Sequence, residues 1–199
     1  RGWIGRYEPE TGASIWNVDF GPSDTGIAFL SVGTSAIFAL GIIEEPSPTY
    51  DRELLVVATD FDGNVLYRTM VGIDGVTEYL NGVVPMPNGE VVLGFSDPNA
   101  YSHIVRLDAD GDVLWHRFYD TFDLIALCAT SDDELRLVGD ATGGSQVAVM
   151  ALDGNGATLW ANEYVSFPGY ALTVGPAGDG GLLINTNRTV DGSSRPALL

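Results

Sequence analysis

The feature that most constrains this chain is a signature that occurs four times. An apolar run leads into a turn built on Gly, and an aromatic residue follows four positions after that Gly. The copies are Gly12/Trp16, Gly63/Tyr67, Gly111/Trp115 and Gly156/Trp160, and successive glycines lie 51, 48 and 45 residues apart. A self-similar period near fifty residues implies a repeat architecture, in which one supersecondary unit buries its apolar face against its neighbours.

Each repeat reads as two hairpins. In the second copy, Leu54–Thr59 and Val65–Met70 flank Asp60-Phe61-Asp62-Gly63-Asn64; in the third, Ile104–Leu107 and Val113–Phe118 flank Asp108-Ala109-Asp110-Gly111-Asp112. Short β-rich runs joined by Asp, Asn and Gly are hairpin signals: Gly supplies φ > 0 and Asp or Asn bonds nearby amides. The second hairpin reads Val83–Gly94 in one copy and Cys128–Gly139 in the next. Gly41, Gly94 and Gly139 are expected to close its last strand, with Asn185 in that place in the fourth copy. Helical periodicity is absent at any useful length. Four-stranded units repeated around an axis describe an all-β fold, the β-propeller. The recurring aromatics (Trp16, Tyr67, Trp115, Trp160) are expected to wedge between adjacent sheets.

Composition narrows the partners. The formal charge is −18, with 27 acids against nine bases, all Arg. So acidic a chain repels phosphate backbones, which argues against nucleic acid. The acids are spread through turns, as on a solvated surface. Apolar residues make up 45%, yet no run approaches the ~18 residues of a membrane span. The strongest run, Gly26 to Ile43, is broken by Ser, Thr and Gly into two strands. Arg1-Gly2-Trp3-Ile4 lacks the form of a signal peptide. It starts inside a repeat, which leaves room for a leader upstream or one already removed.

The pattern resembles bacterial β-propeller repeats related to quinoprotein (PQQ-type) blades: an apolar strand, Asp-x-x-Gly-x-x-x-Trp, then a second hairpin. Glu10-Thr11-Gly12-Ala13-Ser14-Ile15-Trp16 is the nearest match to the quinoprotein Thr-Gly-x-x-x-Trp turn, and the other copies carry Asp-Gly or Asn-Gly instead. The Gly-His…Trp-Asp marks of WD40 repeats are absent. The resemblance implies four four-stranded blades in a single propeller segment, with repeats near 1–52, 53–101, 102–146 and 147–195. Residues 196–199 would open a further strand, so the segment is expected to belong to a larger ring, with a four-bladed ring or a half-ring that dimerises as the alternatives. The resemblance also implies an extracytoplasmic (periplasmic, cell-surface or secreted) setting.

The chemistry legible in the residues is sparse. Asp108, Asp110 and Asp112 alternate, as do Asp60, Asp62 and Asn64. Such spacing suits a hard cation such as Ca²⁺. However, the Gly falls at the fourth place rather than the sixth and no bidentate Glu follows, so ordinary Asp-Gly turns explain the same residues. His103 and His116, the two histidines, fall on opposite strands of one hairpin without spaced co-ligands for Zn or Cu. Cys128 is the single cysteine, in an apolar stretch that suits a small buried hydrophobe. Asn187-Arg188-Thr189 fits a glycosylation sequon. No Gly-x-Ser-x-Gly elbow, His-Glu-x-x-His or phosphate loop occurs.

No catalytic or cofactor-binding residue is therefore assigned. The expected role is a non-catalytic scaffold for protein–protein interaction or assembly, with rigid blades carrying variable loops. The loops at 44–52 and 95–101 occupy matching places one blade apart. They offer Tyr50, Asp51, Arg52, Asp97, Asn99 and Tyr101 as a rim for a protein partner or for the remainder of a larger chain. Two alternatives stand beside this: a carbohydrate-binding propeller, with Tyr50 and Tyr101 stacking on a glycan, and a segment of a quinoprotein-like oxidoreductase.

Overall fold

A computed structural model describes residues 2–21, 25–44, 52–130, 133–141, 146–190 and 193–198, in which every regular element is a strand. β1 (Trp3–Tyr7) and β2 (Ser14–Asp19) form a two-stranded sheet. β3 (Thr25–Val32), β4 (Ile37–Glu44), β5 (Arg52–Thr59) and β6 (Val65–Val71) form an antiparallel sheet in chain order. So do β7 (Tyr79–Pro85), β8 (Val91–Ser96), β9 (Ser102–Leu107) and β10 (Val113–Tyr119). β11 (Phe122–Ala129), β12 (Leu135–Ala141) and β13 (Gln146–Leu152) are completed by the first part of β14 (Thr158–Pro176). The last part of β14 then pairs with β15 (Leu182–Val190), and β15 with β16 (Ser193–Leu198).

The sheets stack face to face around an axis, as in a propeller. β3, β7, β11 and the last part of β14 are the innermost strands, and each packs on the next. Four apolar clusters fill the spaces between successive sheets. Phe20, Ala39 and Val57 lie in the first; Phe38, Val56, Leu93 and Leu107 in the second; Ile104, Leu124, Leu137 and Met150 in the third; Val138, Val149 and Ile184 in the fourth. β8 and β9 are buried at every position. Strands covered on both faces read as continuous apolar runs rather than alternating ones, which is why these segments stand out in the sequence.

Two expectations need correction. The repeat is not a blade. β5–β6, the first hairpin of the second repeat, belongs to one sheet, and β7–β8, its second hairpin, opens the next. Each repeat supplies the last two strands of one sheet and the first two of its neighbour. The expected 1–52 boundary thus meets the start of β5, inside a sheet. Three sheets are complete, and the remaining strands stand at the two ends as β1–β2 and β14–β16.

The second correction concerns Gly41, Gly94 and Gly139, which sit inside β4, β8 and β12 rather than at their ends. Opposite each lies a β-bulge in the innermost strand: at Ile27/Phe29, Leu80/Gly82 and Leu124/Ala126. A bulge bends the strand and drives its backbone towards the partner. A Cβ on Gly41 would strike the Gly26 carbonyl, one on Gly139 the Asp123 carbonyl, and one on Gly94 the Leu124 side chain. Asn185 takes the same place opposite the Ala171/Thr173 bulge.

Candidate functional site

Neighbouring sheets are joined at the repeat aromatics. The turn glycines Gly63, Gly111 and Gly156 adopt φ of 88°, 89° and 78°, a region that only glycine enters readily. Against each bare turn lies the aromatic of the preceding repeat. A Cβ on Gly63 would approach the Trp16 ring to 2.7 Å, and one on Gly111 the Tyr67 ring to 2.5 Å. One on Gly156 would meet Trp115 at 3.1 Å. Trp16 Nε1 donates to the Phe61 carbonyl at 3.0 Å, and Trp115 Nε1 to the Gly154 carbonyl at 3.0 Å. Both carbonyls lie two residues before the turn Gly. The arginine opposite each Trp converges on the same oxygen: Arg6 on Phe61 at 3.1 Å and Arg106 on Gly154 at 2.7 Å. Tyr119 Oη adds a bond to the Gly156 carbonyl at 2.6 Å. At the Tyr67 junction, Thr69 Oγ1 bonds the Gly111 carbonyl at 2.9 Å.

Arg106 engages three groups at once. It lies on buried β9 and pairs through Nε with Glu90 and through Nη2 with Asp133 at 3.0 Å. One guanidinium so ties turns of its own sheet and of the next.

The inner strands enclose a cavity lined by apolar and polar groups together. Phe29, Leu80, Val83, Ile125, Leu172 and Val174 line a cavity of about 300 Å³ between β3, β7, β11 and β14. Leu30 and Val32 on β3 are 59% and 63% exposed, and Tyr79 on β7 and Leu172 on β14 are exposed too. Asn81 and Thr173 are polar side chains here; the Asn81 amide donates to the Leu124 carbonyl. Asp123 and Asp140 sit opposite each other on β11 and β12. Burial, then the Asp123 charge, push the Asp140 carboxyl up to about 6, against a lowering hydrogen bond from the Ala171 backbone. Burial also raises Asp123.

Of the expected rim, Tyr50 and Asp51 lie outside the described residues. Arg52 opens β5, across a bridge from Thr77. Asp97, Asn99 and Tyr101 form the β8–β9 turn. Asp97 Oδ1 accepts the amides of Asn99 at 2.8 Å and Tyr101 at 3.1 Å, and the Tyr101 ring meets Phe118 edge-on at 5.1 Å. Their polar groups thus serve the turn first.

The acidic turns behave likewise. Asp108 Oδ1 accepts the amides of Asp110 at 2.9 Å and Asp112 at 2.8 Å, and Asp60 repeats this with Asp62 and Asn64. The Asn64 side-chain and backbone bonds hold the Asp60 carboxyl below its ordinary value. Among the described residues no group of three or more His, Cys, Asp or Glu is arranged to hold a metal ion. His103 and His116 do meet, Nδ1 to Nε2 at 3.1 Å, with His103 stacked on Phe95. Burial lowers both, and His103 is lowered further by His116 and raised by Asp97. Cys128 is buried, and burial pushes its thiol up to about 11.

One surface escapes the sequence reading. Trp160 and Tyr164 on β14, with Arg136 on β12, border an open cavity of about 360 Å³ beside Gly180 and Leu182. The Arg136 guanidinium lies 5.4 Å from the Trp160 ring centre. A signal for it exists: an aromatic four residues after the Trp, as Tyr119 follows Trp115 and Tyr164 follows Trp160.

Among solved structures, a Bacteroides caccae protein of unknown function matches with a TM-score of 0.58 at 11% identity, over 99% of this chain and 68% of that one. The β-propeller domain of the Trilobed protease from Pyrococcus furiosus, described as having an open velcro topology, matches at 0.52 and 11%, over 88% and 57%. A Xanthomonas campestris gluconolactonase matches at 0.52 and 18%, over 92% and 57%. This chain thus spans between 57% and 68% of the length of these structures, and at such identities the likeness speaks for the fold. No curated protein matches the sequence. None of the described residues forms a helix long and apolar enough to cross a membrane. The family model for outer membrane protein assembly factor BamB matches residues 1–171. With its propeller sheets and quinoprotein-type turns, the chain belongs to that family of PQQ-like β-propeller repeat proteins.

Proposed function

We propose that this chain is a non-catalytic propeller scaffold that holds a protein partner of an extracytoplasmic assembly. The observation that carries this reading is the row of inner strands β3, β7 and β14, on which Leu30, Val32, Tyr79 and Leu172 stand exposed. Large apolar side chains left exposed on neighbouring strands of a folded domain mark a candidate interaction surface. Such a face suits burial against protein better than the ordering of a polar reactant. The family description, an assembly factor for outer membrane proteins, supports a partner from the same envelope machinery. The rim residues Arg52, Asp97, Asn99 and Tyr101 would border that face.

A photo-crosslinking side chain at Val32, compared with one at Leu66 on an outer strand, tests the reading in the native envelope. A protein adduct at Val32 that is absent at Leu66, and that disappears in a Leu30→Ser/Tyr79→Ser background, is expected. Equal labelling at both positions, or none at Val32, removes the proposal.

A further inference from the structure

The two histidines meet within a complete sheet, β7–β10. His103 on β9 stands opposite Phe118, and His116 on β10 stands opposite Val105, so the imidazoles are diagonal neighbours on one face. His103 Nδ1 and His116 Nε2 are 3.1 Å apart. His103 is 4% exposed. Its ring stacks on Phe95 at 5.0 Å and borders Phe118 at 5.2 Å, which fixes its plane. His116 is exposed, so the pair opens to solvent on that side. The far nitrogen of His103, Nε2, is buried with no hydrogen-bond partner among the described residues. Asp97 Oδ2 lies 4.0 Å from it, on a carboxylate already held by the amides of Asn99 and Tyr101. With both rings neutral, one proton sits between them, and it has two possible owners. If His103 Nδ1 carries it, the bare Nε2 lone pair faces a carboxylate. If His116 Nε2 carries it, His103 is protonated at Nε2, beside the Asp97 charge. Electrostatics favour the second arrangement, and it leaves His103 Nδ1 as a lone-pair donor.

We infer that His103 Nδ1 and His116 Nε2 form a binding site for one divalent transition-metal ion, Cu²⁺ or Zn²⁺. Imidazole suits both ions, and Cu²⁺ heads the affinity order. Two nitrogens about 2.0–2.1 Å from an ion stand ~3.4 Å apart in tetrahedral geometry and ~2.9 Å apart in square-planar geometry. The observed 3.1 Å falls between the two, so a small ring rotation admits the ion. Asp97 beside the far nitrogen of His103 completes a carboxylate–histidine–metal arrangement, which fixes the tautomer and the ring orientation; Asp97 is thus a positioning residue. On binding, the ion takes the place of the shared proton. That proton moves through solvent from His116 Nε2 to His116 Nδ1, and both rings stay neutral. Arg117 follows His116 and turns to the other face of β10, over Trp115, so it does not oppose the ion. The net charge of −18 favours the approach of a cation. Among the described residues no group of three His, Cys, Asp or Glu gathers around an ion. Water or an outside donor therefore completes the shell, and the ion exchanges freely. A bound ion ties β10, the edge of its sheet, to the buried β9. This site is separate from the inner-strand row and does not depend on the function proposed for it.

Titration of the 199-residue protein with Cu²⁺ and, separately, Zn²⁺ at neutral pH tests the inference, with excess Mg²⁺ present to occupy carboxylates. One equivalent of Cu²⁺ with nitrogen hyperfine splitting in its electron paramagnetic resonance spectrum is expected, and a Tm raised by Zn²⁺. His116→Ala, a change at an exposed position, should weaken binding at least tenfold, erase the splitting and abolish the Tm rise while the circular dichroism spectrum stays native. Asp97→Asn should lower the affinity about 10–100-fold and keep the splitting; an unchanged affinity overturns its positioning role. Absence of stoichiometric binding at micromolar Cu²⁺ overturns the inference. So does binding that His116→Ala leaves unchanged, the mark of an adventitious ion only.

Discussion

Tyr67→Phe is expected to stabilise the protein. Tyr67 is the odd member of the repeat aromatics. Trp16 and Trp115 each donate to a carbonyl of the next turn, but Tyr67 is 8% exposed and its hydroxyl has no hydrogen-bond partner among the described residues. Burial, then the Asp108 charge, raise its ionisation well above the ordinary phenol value. Leaving a buried hydroxyl unsatisfied costs about 1–3 kcal/mol. Removing the oxygen forfeits its packing and leaves a small void, worth roughly 0.5–1 kcal/mol. The balance favours Phe by about 1 kcal/mol, or roughly 2–4 °C in Tm for a chain of this size. Urea unfolding followed by Trp fluorescence, with a thermal scan beside it, reads the difference. Tyr67→Ala, which empties the wedge, should lose about 3–5 kcal/mol. A Phe variant weaker than the parent by 1 kcal/mol or more would refute the reasoning, because the hydroxyl would then have a partner worth keeping.

Asp140→Asn should stabilise the protein at neutral pH and have no effect at pH 3.5. The folded carboxyl titrates near 6 against an ordinary 3.8, so stability falls as pH rises through that interval and the Asn variant escapes the loss. The full shift corresponds to about 3 kcal/mol, and solvent screening of this part-exposed group reduces it to about 1 kcal/mol. Titration of unfolding midpoints for both proteins measures it. The lowered His103 and His116 act in the opposite sense: stability is lost as pH falls below 6.5, and His116→Gln should flatten that limb of the same titration. Gly139→Ala should cost about 2–3 kcal/mol in urea unfolding, since its Cβ has no room beside the Asp123 carbonyl. Arg106→Met should cost about 3–5 kcal/mol, because Glu90 and the Gly154 carbonyl lose a buried cation; a loss under 1 kcal/mol in the same assay would refute that estimate.

Strands and turns were legible because their causes are local. β5, β8 and β13 are covered on both faces, and that burial is written as unbroken apolar runs. The turns at Gly63 and Gly111 are written as Asp acceptors and a glycine at positive φ. The phase of the repeat was not legible. Both hairpins of a repeat look alike, and which neighbour a hairpin joins is settled across the loops at 44–52 and 97–101, far from either turn. Gly41 and Gly139 look like strand ends because the bulge that crowds them lies on another strand. The rim residues Asp97 and Asn99 advertise polarity in the sequence, but their bonds within the turn appear only in three dimensions. Trp160 reads like its three siblings, and the cavity it borders with Arg136 and Tyr164 appears only in three dimensions.

The half-repeat offset between sequence and sheets decides where this chain can be cut or spliced. A nascent chain that has just finished a repeat, at about residue 101, has β7 and β8 in place while β9 and β10 are still unmade. Its outermost edge is then β8, an almost wholly apolar strand with open backbone bonds, the kind of edge that invites mispairing. A chain that stops at 120–121 instead ends on the finished β7–β10 sheet. Whole repeats can still be inserted or deleted at either frame, because each one restores the two strands its neighbour lacks. The heritable module and the cooperative folding module are therefore different stretches of the same polypeptide, staggered by two strands.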